Sequence, residues 1–172
     1  MAKAKQMDQK TLILDNKAVH QKLNRIAYQI LEDTYKEQEV YFLGLQENGH
    51  TIASIITDII GDQKQCHLIP TIIDKKNPVK GDIQMNLNLE DLNDKTVIVC
   101  DDVANTGRIL SYAIKPLLSV YPKKIRVMVL VDRKHKKYPV SADFVGLSLA
   151  TTMQEHITVE FDNNHQAKVY LD

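Results

Sequence analysis

The sequence predicts an α/β domain in which a central, mainly parallel sheet is flanked by helices. Apolar runs of strand length alternate along the chain with segments whose apolar residues recur at helical spacing. This alternation is typical of parallel strands joined by right-handed crossover helices. The length of 172 residues fits one domain with a full hydrophobic core.

In the first half of the chain, three apolar runs predict strands and two periodic segments predict helices. Asp15 or Asn16 is placed to cap the first helix, because a short polar side chain accepts hydrogen bonds from the first N–H groups. Gly61 is expected to end the second helix. The strands are predicted at 11–14, 40–45 and 66–73, and the helices carry Val19, Leu23, Ile26, Ala27, Ile30 and Leu31, then Ile52, Ile55, Ile56, Ile59 and Ile60.

In the second half, the same alternation continues after a polar loop at 74–81. A strand is predicted at 96–100, and the helix that follows Gly107 contains Pro116. Proline lacks an N–H and clashes with the preceding turn, so this helix should be kinked or shortened. Further strands are predicted at 125–131, 144–149, 157–161 and 169–171.

The composition limits the classes of function. Lys plus Arg and Asp plus Glu both total 22, so the net charge is zero and no nucleic-acid or membrane partner is demanded. No apolar run approaches the roughly 20 residues that span a bilayer, and the polar segment 1–10 lacks the apolar region of a signal peptide. Cys66 and Cys100 are interpreted as reduced packing residues, and the expected location is the cytoplasm. The histidines are scattered, so no metal site made by the protein is expected.

The residues after the strand at 96–100 indicate a ligand site. Asp101 and Asp102 come first, and Thr106-Gly107 then leads into the helical pattern. The N–H groups of a tight turn and of a helix N-terminus attract an anion. Carboxylates accept hydrogen bonds from sugar hydroxyls, Thr106 adds a hydroxyl donor, and Gly107 leaves room for a phosphate. The pattern predicts a sugar phosphate site with both acids in a polar turn.

A simpler interpretation is a strand, an acidic turn and a helix cap that bind nothing, since acids near a helix start are favourable anyway. Two acids and Thr-Gly at fixed spacing after an apolar strand favour the ligand site. Ligands in parallel sheets bind at the carboxyl ends of the strands. The loops 46–49, 101–108 and 132–137 all leave such ends, so we expect them to meet.

The motif at 101–108 resembles the phosphoribosyl-diphosphate (PRPP) signature of the type I phosphoribosyltransferases. A second block, Leu130-Val131-Asp132-Arg133-Lys134-His135 followed by 138–146, is similar to the pyrimidine-operon attenuation regulators, which are also uracil phosphoribosyltransferases. The segment 14–27 is similar to theirs as well. The resemblance therefore extends over nearly the whole chain.

The resemblance implies a type I phosphoribosyltransferase fold, with a core at about 16–142 and a small hood from about 10–15 and 143–172, in a single domain over 1–172. Asp101 and Asp102 would be the catalytic pair that holds the ribose hydroxyls. The 5′-phosphate loop would be Ala104, Asn105, Thr106, Gly107 and Arg108, the pyrophosphate loop Gln46, Glu47, Asn48 and Gly49, and the edge of the base site Asp132, Arg133, Phe144 and Val145. The segment 74–81 would lie in the region of a flexible lid.

The implied activity is transfer of the phosphoribosyl group from PRPP to a nucleobase-like acceptor, with a pyrimidine favoured, and release of pyrophosphate. Mg²⁺ would arrive with PRPP and bridge its diphosphate and ribose oxygens, so no metal-binding residues are predicted. The expected partners are PRPP and a nucleobase or nucleoside monophosphate. A homo-oligomer, as a dimer, is the expected assembly.

Some positions depart from the family pattern. Asn48 stands where the pyrophosphate loop carries a basic residue, and Glu47 adds a carboxylate there. The lid region lacks a Tyr-Arg pair, for which Lys75, Lys76 and Lys80 are candidate substitutes. Leu147 to Met153 lacks two basic residues of the regulators. Asn105 stands where purine-salvage enzymes have an Asp, and because an amide cannot titrate, this position disfavours hypoxanthine and guanine.

Three functions therefore remain open from the sequence. The first is a PRPP-dependent transferase. The second is a nucleotide-sensing, RNA-binding attenuation regulator, which zero net charge and the missing basic residues disfavour. The third is a catalytically degenerate sensor of PRPP or nucleotides, which the altered pyrophosphate loop keeps open. The one basic cluster, Lys134, Lys136 and Lys137, is interpreted as a solvated loop.

Overall fold

A computed structural model describes residues 10–79, 81–150, 155–162, 164 and 166–172. Lys80 of the lid region and Met153 lie outside the described residues. Within the described part of the chain, no helix is long and apolar enough to cross a bilayer.

The core of the fold is a six-stranded sheet in the order β4-β3-β2-β5-β6-β7. Its strands are β2 (Glu39–Leu45), β3 (Gln65–Ile72), β4 (Gln84–Met85), β5 (Thr96–Ala104), β6 (Lys124–Arg133) and β7 (Phe144–Leu149). All neighbours are parallel except β3 and β4. The middle strands β5 and β6 carry long buried runs, as expected where helices cover both faces of a parallel sheet. The predicted α/β class is confirmed, whereas the short antiparallel edge strand β4 was not predicted.

Helices cover the two faces of this sheet. On one face, α1 (Asn16–Asp33) and α2 (Asn48–Ile60) bury the predicted apolar positions in one core cluster. On the other, α3 (Arg108–Ile114) packs Leu110 and Ala113 in a second cluster. Asp15 caps α1 by accepting a hydrogen bond from the backbone N–H of Ala18 at 2.8 Å. The helix α3 gives way to a 3₁₀ turn at Lys115–Ser119 next to Pro116, which confirms the predicted shortening.

A separate three-stranded sheet has the order β1-β9-β8 and consists of β1 (Thr11–Leu14), β8 (Ile157–Phe161) and β9 (Ala167–Leu171). Its buried residues Val159 and Val169 join the core cluster under α1 and α2. At the start of the expected hood segment 143–172, β7 pairs with β6 and so belongs to the main sheet. The small sheet is therefore built from β1 and from the chain after β7.

The strand β5 is longer than predicted, and this changes the setting of the two acids. Pairing with β6 continues through Asp101 opposite Val129 and Ala104 opposite Asp132. The expectation that both acids lie in a polar turn was therefore wrong. Since the main-chain ladder continues past Cys100, Asp101 lies within a buried strand, and the turn begins only at Asn105.

Candidate active site

A cleft of about 270 Å³ opens at the carboxyl end of β5. Its wall contains the entire predicted motif from Asp101 to Arg108, together with Asn48 from the start of α2 and Lys75 from the 74–81 loop. Residues 157–159 of β8 close it from the side of the small sheet. The structure thus brings the predicted ribose and phosphate residues and part of the predicted pyrophosphate loop to one place.

Asp101 is the most buried acid of this cleft, with 4% of its surface exposed. Burial raises the pKa of Asp101 to about 7, and the neighbouring Asp102 carboxylate adds to the shift. The ammonium of Lys75 opposes it from 3.5 Å. Desolvation disfavours the charged form. Asp101 therefore changes its protonation state near neutral pH, whereas an exposed aspartate does so at a lower pH.

Asp102 is held in place by hydrogen bonds to its neighbours. Its Oδ1 accepts a hydrogen bond from the backbone N–H of Val103 at 2.8 Å, and its Oδ2 accepts one from Asn48 Nδ2 at 2.8 Å. The backbone N–H of Asp102 itself donates to Asp101 Oδ1 at 3.0 Å. The carboxylate is therefore oriented before any ligand binds.

Asn48 is also joined to the small sheet, because the same Nδ2 donates to the carbonyl of Val159 at 3.0 Å. The next residue, Gly49, packs directly on β5. A Cβ at this position would lie 2.5 Å from the carbonyl oxygen of Cys100, so only glycine allows the approach. The predicted pyrophosphate loop is thereby fixed against the strand that carries the acids.

The predicted phosphate loop turns at Gly107, which has φ +80° and precedes α3. A Cβ here would lie 3.3 Å from the carbonyl of Tyr138, on the side of the 133–140 segment. The prediction that Gly107 keeps space for phosphate therefore needs correction. Glycine is required by the left-handed backbone and by the close approach of Tyr138.

The end of β6 and the residues after it form hydrogen bonds to the predicted phosphate loop. Arg133, which is 8% exposed, donates through Nη1 to Asn105 Oδ1 at 3.0 Å. The backbone N–H groups of Lys137 and Tyr138 donate to the carbonyl of Thr106 at 2.9 and 3.1 Å. The predicted meeting of the 101–108 and 132–137 loops is confirmed by these contacts.

A second cleft of about 430 Å³ adjoins the first and shares Asn48 and Lys75 with it. Gln46 and Glu47 form one wall, and 73–76 form the other. Asp74 Oδ1 accepts hydrogen bonds from the backbone of Lys76 and Asn77, at 2.9 and 3.1 Å, which shapes the turn that presents Lys75 and Lys76. Arg108 Nη2 donates to the carbonyl of Lys75 at 3.3 Å and so links this loop to α3.

Comparison with known proteins agrees with this arrangement. The family described as "Phosphoribosyl transferase domain" matches residues 9–164. The chain belongs to the phosphoribosyltransferase family. Curated relatives include the bifunctional protein PyrR of Macrococcus caseolyticus, 31% identical over 94% of this chain and 98% of that one. That of Staphylococcus aureus is 33% identical over 93% and 97%.

Solved phosphoribosyltransferases share the fold. A hypoxanthine-guanine phosphoribosyltransferase from Bacillus anthracis superposes with a TM-score of 0.72 at 18% identity, over 84% of this chain and 85% of that one. A mutant form of the hypoxanthine phosphoribosyltransferase of Trypanosoma cruzi, complexed with the product IMP, gives 0.76 at 14% identity, over 99% and 94%. The predicted type I phosphoribosyltransferase fold is therefore confirmed.

The residues predicted at the edge of the base site are divided by this phosphoribosyltransferase fold. Asp132 and Arg133 lie at the end of β6 beside the phosphate loop. Phe144 is buried in the core under α1 and α2, and Val145 packs against the opposite core cluster. None of these four predicted residues belongs to the described walls of the two clefts.

Proposed function

We propose that this phosphoribosyltransferase transfers the phosphoribosyl group of PRPP to a pyrimidine-type nucleobase and releases pyrophosphate. The observation that carries the proposal is the single cleft bordered by the acid pair, the 104–108 loop and Asn48. The acids at the end of β5 supply acceptors for the ribose hydroxyls. The glycine turn and the start of the next helix supply donors for the 5-phosphate.

In the proposed complex, the 5′-phosphate lies against the 104–108 loop. The turn at Gly107 and the first residues of α3 offer backbone N–H groups, and Thr106 and Arg108 add a hydroxyl and a cation. Asp101 and Asp102 accept hydrogen bonds from the ribose hydroxyls. Because Asp102 is already oriented by Val103 and Asn48, it loses little freedom when it accepts a further hydrogen bond from a ribose hydroxyl.

The diphosphate is proposed to lie in the second cleft, between Gln46–Asn48 and the 74–76 turn. Since Asn48 is neutral and Glu47 is acidic, the cations that line this cleft are Lys75 and Lys76. Mg²⁺ is proposed to enter with PRPP, as part of the substrate, because this hard cation is commonly held by substrate phosphates and a few carboxylates rather than by an all-protein cage. When bound with PRPP, the ion would offset part of the negative charge of the leaving diphosphate, beside Lys75 and Lys76.

The reaction joins a ring nitrogen of the base to C1 of the ribose while the bond from C1 to the diphosphate oxygen breaks. The ring nitrogen loses its proton to water or to the departing diphosphate as the bond forms, and the diphosphate leaves with the electron pair of the broken C1–O bond. The cleft contributes by holding both reactants in line and by stabilising the departing negative charge. Hydrogen-bonded to the ribose hydroxyls, the carboxylates of Asp101 and Asp102 would also favour positive charge that develops on the sugar.

The preference for a pyrimidine rests on Asn105 and on the relatives. The oxygen of the Asn105 amide accepts a hydrogen bond from Arg133, so this position supplies no proton acceptor for a purine ring. The curated relatives over nearly the full chain are bifunctional PyrR proteins. We also propose that the chain works as a homodimer in the cytoplasm, which light scattering and cell fractionation would test.

Binding to RNA is proposed to be weak and non-specific. The net charge is zero, and RNA contact depends strongly on a basic face. Lys136, the central lysine of the basic cluster, is directed into the protein rather than outward. Tight, sequence-selective binding to a pyrimidine-operon leader at physiological salt would contradict this part of the proposal and favour the regulator.

The proposal is tested by incubating the protein with PRPP, Mg²⁺ and a panel of nucleobases while pyrophosphate release is measured. We expect release with uracil and loss of release in the variant that combines Asp101→Asn with Asp102→Asn. PRPP binding without release from any base would identify a degenerate sensor, and absence of both binding and release would refute the assignment.

A further inference from the structure

Lys136 has an unusual position for a lysine in a loop. Its Nζ donates to the carbonyls of Ala104 at 3.0 Å and Arg133 at 2.9 Å, and it forms an ion pair with the carboxylate of Asp132. The carbonyl of Asn105 lies farther from Nζ, at 3.4 Å. An ammonium group has three N–H donors, so the close partners use all of them. Lys136 therefore joins the ends of β5 and β6.

The carbonyls that Lys136 and its neighbours bind belong to the proposed phosphate loop. Lys136 holds the carbonyl of Ala104, and the backbone N–H groups of Lys137 and Tyr138 hold that of Thr106. In a trans peptide the N–H points opposite to the C=O. The N–H groups of Asn105 and Gly107 therefore point away from the 136–138 segment.

The opposite side is where the first cleft lies. Its described wall contains residues 104–108, and the segment 132–138 is not among the residues that line it. Because the loop carbonyls of Ala104 and Thr106 point toward the 136–138 segment, the loop N–H groups face the cleft, where they can bind an anion.

We propose that Lys136 is a positioning residue for the 5′-phosphate of the substrate. It does not contact the ligand. It holds the loop carbonyls, and with them the orientation of the amides that bind phosphate. This inference rests on the proposed function, because it takes the anion in the cleft to be the 5′-phosphate of a nucleotide or of PRPP.

The neighbouring lysines provide a matched control. Lys134 is exposed, whereas Lys136 is half-buried, although both belong to the same short basic run. Removal of either charge changes the net charge of the protein equally. Only Lys136→Met removes the donor to Ala104 and leaves Asp132 without its ammonium partner. A difference between Lys136→Met and Lys134→Met is therefore attributable to position.

Calorimetry with uridine 5′-monophosphate and, separately, with pyrophosphate tests the inference. Lys136→Met should weaken binding of the monophosphate at least about tenfold and change pyrophosphate affinity less than about twofold. Lys134→Met should change neither, and Lys136→Arg should recover most of the monophosphate affinity. Unchanged monophosphate affinity in Lys136→Met, or an equal loss for both ligands, would overturn the inference.

Amide hydrogen exchange of residues 105–108 without ligand provides a second measurement. Exchange should be faster in Lys136→Met than in Lys134→Met, because the loop loses a fixed carbonyl. If the wild-type protein bound neither ligand, the proposed function would fail, and exchange would still report whether Lys136 orders the loop. Equal exchange rates in the two variants would refute the positioning role itself.

Discussion

The Nδ2 atom of Asn48 lies 2.8 Å from Oδ2 of Asp102 and joins the proposed pyrophosphate loop to the proposed ribose site. The same nitrogen donates to the carbonyl of Val159 in β8 at 3.0 Å. One amide therefore connects the start of α2, the end of β5 and the small sheet. Asn48 stands where the resembled family carries a basic residue. It orients the carboxylate of Asp102 by a hydrogen bond and brings no charge to the proposed diphosphate site.

Asn48→Asp should weaken PRPP binding, because it replaces a donor to Asp102 by a second carboxylate. A hydrogen bond to a charged group contributes about 1.5–3 kcal/mol, so we expect a loss of roughly 10- to 100-fold, measured by calorimetry with Mg²⁺ present. Asn24→Asp is the control, since the Asn24 amide donates only to the carbonyl of His20 on the exposed side of α1. Equal PRPP affinity of the two variants would contradict the role of Asn48.

Asp101 should make the stability of the protein fall as pH rises toward neutrality. Its pKa is 3.8 in an ordinary setting and about 7 in the fold. Between these values the folded state binds more protons than the unfolded chain, so the free energy of unfolding decreases with rising pH and levels off above pH 7.

The variant Asp101→Asn removes this titration and keeps an oxygen that can accept from the Asp102 N–H. Its free energy of unfolding, measured by urea titration, should lack the Asp101-dependent decrease of the wild type. The difference between variant and wild type should therefore shift in favour of the variant as pH rises from 4 to 7. Asp58→Asn, at an exposed position of α2, serves as the control. A pH dependence of Asp101→Asn that matches the wild type would show that Asp101 is solvated in the folded protein.

A comparison of Gly107→Ala with Gly61→Ala distinguishes the effect of backbone strain on stability from an effect on ligand binding. Both glycines have positive φ, at +80° and +53°, so each alanine should lower stability by about 1–2 kcal/mol. A Cβ at Gly61 meets nothing within 4 Å, whereas one at Gly107 lies 3.3 Å from the Tyr138 carbonyl. Only Gly107→Ala should weaken binding of uridine 5′-monophosphate. Full affinity in a folded Gly107→Ala protein would place the phosphate elsewhere.

Asn105→Asp should not create a purine enzyme. The new carboxylate would face Nη1 of Arg133, which lies 3.0 Å from the present amide oxygen, and would pair with it rather than accept a proton from a base. It would also add negative charge beside the 5′-phosphate, so PRPP affinity should fall. The control Asn93→Asp changes an oxygen that accepts from the Tyr121 N–H away from the cleft. Increased hypoxanthine turnover in Asn105→Asp would contradict this explanation.

Local sequence features predicted much of this molecule. The Asp15 cap, the stop near Pro116 and the alternation of strands and helices depend on residues a few positions apart, and all are confirmed. The convergence of the loops followed from the common end of parallel strands. The Asp-Asp and Thr-Gly pattern pointed to residues that line the first cleft, because its members are contiguous in the chain.

Features that depend on distant partners were missed. Asp101 is buried because β5 pairs with β6 beyond Cys100, which no pattern near Asp101 indicates. Lys136 looked like part of a solvated run, and its decisive acceptor, the Ala104 carbonyl, lies 32 positions earlier. The place of β7 in the main sheet likewise depends on its register with β6. The sequence feature that could have predicted the Lys136 contact is its spacing from Asp132. A lysine four residues after an aspartate at a strand end can fold back to pair with it.

Mass spectrometry of the nucleotide product distinguishes a pyrimidine transferase from a purine transferase. The wild-type protein is incubated with PRPP, Mg²⁺ and an equimolar mixture of uracil and hypoxanthine, beside the variant that combines Asp101→Asn with Asp102→Asn. We expect uridine 5′-monophosphate as the main product of the wild type and no product from the variant. Inosine 5′-monophosphate as the main product, or equal product from the acid-free variant, would contradict it.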